Sequence, residues 1–162
     1  MSTDQPTIIN KTENEISTQW LQELQNAIAT SYDILRELEE LGYPYKRVRC
    51  VEIDNIAEPL WIGESRTQGR VKINPSEHDA RAVAHELGHG FHEKIRDKGK
   101  EDEYGEDMAE AIRWFVEKKM GPTNWCKQPP NDDAVIRVCN EDKATFIFML
   151  KNGQLFEKLN WS

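Results

Sequence analysis

Residues 85–89 read His-Glu-Leu-Gly-His, and this pentapeptide constrains the fold more than any other stretch of the chain. Two histidines four residues apart share one face of a helix. At about 100° per residue, an α-helix sets positions 85 and 89 roughly 40° apart and one turn along the axis, so that both imidazoles can converge on one ion. Glu86 lies about 60° around from His89, too far round to share that ion comfortably but well placed to reach a water bound to it. Two neutral imidazoles and one carboxylate leave the fourth tetrahedral position of zinc (Zn2+) to water, whose pKa the metal lowers towards neutrality. Glu86 is then the base that takes the proton as the water attacks a carbonyl.

The surroundings of the pentapeptide are helical. Asn74-Pro75-Ser76 supplies a break and a candidate N-cap, and no proline follows until Pro122. Ala80, Val83, Ala84, Leu87, Phe91 and Ile95 recur at steps of three and four, tracing an apolar stripe. His78, His85, His89 and His92 fall within an arc of about 60° on the opposite side. Of these, His78 and His92 are expected to be neighbours of the site or solvated, not ligands.

A third ligand is sought in Gly105–Phe115, GEDMAEAIRWF. Met108, Ala111, Ile112 and Phe115 form a second helical stripe, with Glu106, Glu110, Arg113 and Glu117 on the other face. Carboxylates at i and i+4 repel by roughly a few tenths of a kcal/mol on an exposed helix, and a cation beside them reverses the sign. If Glu106 binds the metal, Glu110 can accept the free ring N–H of a ligating histidine, fixing its tautomer. The competing reading is a solvated charged face in which Glu110 pairs with Arg113. On the residues alone, Glu106 and Glu110 both stay open as the ligand, with Asp107 a distant third.

HELGH followed by a glutamate helix of the form E-x-x-A-E-A resembles the gluzincin metallopeptidases. The run EDMAEAIRWF is most similar to the catalytic domain of the anthrax lethal factor type and its compact bacterial relatives. The resemblance covers about residues 70–117. It implies zinc ligation by His85, His89 and Glu106, Glu86 as general base, and Glu110 behind a ligating histidine. The step from His89 to Glu106 is shorter than in the toxin domain, as a trimmed loop would give. Metzincins would require a glycine at the position of His92 and a third histidine at that of Ile95. Repressor-cleaving peptidases of mobile elements use an E-x-x-A-N helix where this chain has EDMAE, which makes them a relative but not the reading. Gluzincin-like enzymes also need a donor for the oxyanion; Tyr104, expected on a loop two residues before Glu106, is the candidate, with His92 and Arg113 as competitors.

The remaining chain fits an α+β, zincin-like metallopeptidase with an N-terminal helix, a small sheet, the active-site helix and the glutamate helix, all in one domain spanning residues 1–162. After a polar tail, Trp20, Leu21, Leu24, Ile28, Leu35, Leu38 and Leu41 place a helix over 17–41, ended by Gly42 and Pro44. Residues 48–53, 59–62 and 71–74 read as strands. The last of these, immediately before the active helix, is expected to edge the cleft and offer its backbone to an extended peptide. Gly121-Pro122 closes the glutamate helix, NWCKQPPNDD is a loop, and 146–156 around Asn152-Gly153 reads as a hairpin.

Composition narrows the function classes. A net charge of -8 argues against nucleic acid or acidic membrane as partners. Charged residues make up 31% of the chain. No run approaches the roughly 18 apolar residues of a membrane span, and the N-terminus lacks the apolar core of a signal peptide, so a cytoplasmic location is expected. Cys50, Cys126 and Cys139 are odd in number and lack C-x-x-C spacing, indicating reduced thiols. The expected function is zinc-dependent hydrolysis of peptide bonds in a peptide or protein substrate. The alternative is a zincin-fold metal-binding module with little turnover, against which the intact Glu86 weighs.

Overall fold

The computed structural model describes residues 5–40, 48–55, 60–62, 69–74, 80–95, 102–121, 133 and 135, and at 38, 60–62, 90–95 and 102–108 the backbone alone. The long N-terminal helix α1, Thr18–Glu40, begins where Ser17 caps it: the Trp20 N–H donates to Ser17 Oγ at 3.4 Å, and the Leu21 N–H to Ser17 O at 2.9 Å. Trp20, Leu24, Ala27, Ile28, Ser31, Ile34 and Leu35 then recur at helical spacing and are buried. Ser31 tolerates that burial because its hydroxyl donates to Ala27 O at 2.6 Å.

Ahead of α1 stands a strand that the polar composition of the N-terminus conceals. β1, Thr7–Asn10, runs parallel to β2, Val48–Ile53, with Ile8 opposite Val51. β2 is in turn parallel to β4, Gly69–Ile73, and β3, Leu60–Ile62, pairs antiparallel to β4. The resulting order is β1-β2-β4-β3. The strand before the HELGH helix is therefore interior, not the cleft edge expected of it, because both sides of its backbone are already paired. Among the described residues β3 is the edge on that side instead. The irregularity between Val48 and Cys50 in β2 restores the alternation, so that Val48, Val51 and Ile53 join Val71 and Ile73 in the core.

The residues between point away from that core. Glu52 is nonetheless 3% exposed, a carboxylate too costly to bury alone. Lys11 and Arg70 reach its Oε2 at 3.5 Å, and Lys72 lies 3.8 Å from Oε1. Cys50, buried beside it, is a free thiol, whereas Cys126 and Cys139 lie outside the described residues.

Two further helices complete the core, α2 (Ala82–Ile95) and α3 (Asp102–Met120). α2 starts later than the Asn74-Pro75-Ser76 break suggests, after a turn in which the Val83 and Ala84 N–H groups donate to Ala80 O and Arg81 O. Ser76 lies outside the described residues. Val83, Ala84 and Leu87 face the core, as do Ala111, Ile112, Trp114, Phe115 and Val116 of α3. α3 ends at Gly121, whose φ of 83° is the left-handed conformation glycine takes without penalty, and whose N–H donates to Glu117 O at 3.0 Å. Val135 is helical and fully buried in the same core, and Asp133 is helical at the end of the stretch expected as loop. The expected hairpin at 146–156 lies outside the described residues. Among the described residues no helix is long and apolar enough to cross a membrane.

The close approach of α2 and α3 depends on Gly88. A Cβ there would stand 2.8 Å from Ala109 Cα and 3.1 Å from Ile112 Cβ, the first of which is backbone and cannot swing aside. Gly88→Ala gains about 1 kcal/mol in helix propensity but pays an overpacking cost of about 1–3 kcal/mol. The net expectation is a lowered unfolding midpoint in urea with an unchanged slope; a midpoint equal to or above that of the parent would show that the helices can separate freely.

Candidate metal centre

The spacing of HELGH places its polar residues where the core stripe is not. His85, Glu86 and His89 are half-buried on α2, while Leu87 and Gly88 between them are buried. One ligand atom from each of the three polar residues lies within 4.8 Å of the others. The two imidazoles stand with ring centroids 5.0 Å apart and planes at 77°, edge towards face and not stacked.

Glu110 of α3 supplies the second layer of contact. Its Oε2 lies 2.8 Å from His85 Nδ1. An ionised carboxylate can only accept, so Nδ1 carries the proton and, in the neutral ring, Nε2 keeps its lone pair for another partner. His85 is thus held in one tautomer and one orientation by a residue 25 positions away.

The register of the two helices extends this contact. Arg81 meets Glu117, His85 meets Glu110, and Gly88 abuts Ala109, so rising numbers on α2 meet falling numbers on α3. The helices are antiparallel. Position 106, one turn before Glu110 on the α3 backbone, lies one turn further along the seam in the direction that leads from His85 to His89. The side chains of Glu106 and Asp107 lie outside the described residues.

Other expected participants are distributed differently. Tyr104 is on α3 and not on a loop, because the helix begins at Asp102; its side chain lies outside the described residues. The same holds for the side chain of His92, while His78 lies outside the described residues altogether. Arg113 is largely buried, with Nη2 4.0 Å from Glu117 Oε2. The charged side of α3 therefore faces a neighbour at Glu110 and Glu117, and a fully solvated face does not describe it.

Arg81 has no place in the sequence-based picture, yet it bonds to three acceptors close to the site. Its Nε donates to Glu23 Oε1, and its Nη1 donates to both Glu117 Oε1 and Gly121 O, each at 2.6 Å. Burial works against its charge, but the hydrogen bonds and the charges of Glu117 and Glu23 outweigh it and hold the guanidinium pKa above its ordinary value. The available signal is spacing: Arg81, in the turn just before α2, stands four residues ahead of His85.

Comparisons of the chain with protein-family models, with curated proteins and with solved structures find no match.

Proposed function

We propose that the chain is a zinc-dependent peptidase of gluzincin type on a zincin-like fold, in which His85, His89 and Glu106 hold the metal and Glu86 is the general base. The observation that carries this reading is the carboxylate-fixed imidazole. Glu110 takes up His85 Nδ1 at 2.8 Å, leaving a lone pair at Nε2, while donor atoms of Glu86 and His89 lie within 4.8 Å of a His85 ring nitrogen. Imidazole with a carboxylate behind it is the donor set that suits zinc, and a bare surface cluster of acids is not. The antiparallel register supports Glu106 as the third ligand beside His89, and it agrees with the family pattern in which the first glutamate of E-x-x-A-E-A binds.

When bound, the metal supplies a Lewis acid that makes water a competent nucleophile near neutral pH and polarises the scissile carbonyl. Glu86, adjacent to His85 in sequence, accepts the water's proton and passes it to the departing amine. Tyr104 remains the proposed donor to the oxyanion, from the first turn of α3. β3, the sheet edge among the described residues, lies beside α2, and an extended peptide would pair with it as an added strand.

Digestion of a broad peptide library by the purified protein tests the reading. Cleavage that stops with a chelator and returns with zinc is the expected result. Zinc bound without cleavage would favour the metal-binding module, and cleavage indifferent to the chelator would remove the metal from the chemistry.

A further inference from the structure

We propose that Arg81 is the positioning residue of this site: by clamping the start of α2 to the end of α3, it sets the register that keeps Glu110 on His85. Three acceptors from two other elements converge on one planar fork: Glu23 on α1, Glu117 on α3, and the carbonyl of Gly121 just past α3. Its side chain is 4% exposed and that of Glu117 7%, so water competes little for these bonds. A cation at the C-terminal end of α3 also complements the helix dipole there. Because a guanidinium presents its donors in fixed directions, the three bonds together resist both sliding and rotation of α2.

The lever is short. Arg81 and His85 are separated by four residues, about 6 Å along the axis. A slide of α2 by about 2 Å along the seam, across the direction of the 2.8 Å His85–Glu110 contact, would stretch it to about 3.5 Å, the limit of hydrogen bonding. The competing account is that Gly88 against Ala109 fixes the register alone, in which case Arg81 contributes stability and nothing to His85. The two accounts differ at the imidazole.

The decisive readout is the His85 Nδ1 proton, followed by nuclear magnetic resonance in zinc-free protein, with zinc affinity measured separately by competition. Arg81→Lys keeps a charge but cannot reach three acceptors, and Glu117→Ala removes the α3 arm. Both are expected to broaden or lose the His85 Nδ1–H signal and to weaken zinc binding by about 10-fold or more, the scale of losing a partner behind a ligand. Glu23→Gln, which leaves the Glu117 and Gly121 bonds in place, and Leu35→Ala, a core change on α1, should lower the melting temperature while preserving the signal. An intact Nδ1–H signal in either Arg81→Lys or Glu117→Ala overturns the proposal, as does its loss in Leu35→Ala. If Arg81→Lys does not fold, Glu117→Ala carries the same comparison. The inference rests on the metal reading only for its zinc arm: a parent that shows the signal and its loss on Arg81→Lys but binds no zinc would sink the metal reading alone.

Discussion

Glu86→Gln is expected to lower peptide cleavage by about 100-fold or more while leaving the fold and the metal in place. The substitution is nearly isosteric, and Glu86 is half-buried on a helix whose core residues it does not join, so folding has little reason to change. What changes is basicity: an amide cannot accept the water's proton. Steady-state rates on a peptide that the parent cleaves, with zinc content measured on the same samples, check the expectation. Near-normal turnover would exclude Glu86 as the base. Loss of zinc along with activity would make Glu86 a ligand, an outcome its closeness to both histidines makes worth measuring.

The second large effect separates the two glutamates of α3. Glu106→Ala should release zinc far more readily than Glu110→Ala. The latter is expected to weaken affinity by roughly 10- to 100-fold, the usual cost of removing the carboxylate that orients a ligating histidine. Glu110 already has an occupation in the structure, since its Oε2 lies on His85 Nδ1 at 2.8 Å. Zinc dissociation constants for the two variants, obtained by competition with a chromophoric chelator, give the ranking. The reverse order would make Glu110 the ligand and break the carry-over from the gluzincin pattern.

What the sequence reveals of this molecule divides along physical lines. α1 was legible because a helix that buries one face over about four turns repeats its signal many times; the expected start at 17 and the observed Thr18 differ by one residue, and position 41 lies outside the described residues. β1 was not legible, because a four-residue edge strand buries little: Ile8 alone packs on the core, and Ile9 is 37% exposed. Strand order is equally silent in the sequence, and so an edge position expected for the strand before α2 meets a β4 that is paired on both sides. The grouping of His85, Glu86 and His89 on one helix is local and could be read directly. Gly88 and Arg81 could not, since each is explained only by what α3 brings against it: the Ala109 backbone in one case, Glu117 and the Gly121 carbonyl in the other. The charges at Glu110 and Glu117 showed that α3 has a polar side but not that this side meets α2.

The central claim is that His85, Glu86 and His89 mark a single zinc site. The most direct measurement is the metal content of the purified, zinc-exchanged protein beside that of His85→Ala, by elemental analysis. One zinc per chain in the parent and little or none in the variant is the expected result, because the proposed site uses His85 as a ligand and Glu110 contacts the same ring. No zinc in the parent, two tightly held ions, or undiminished zinc in His85→Ala would contradict it.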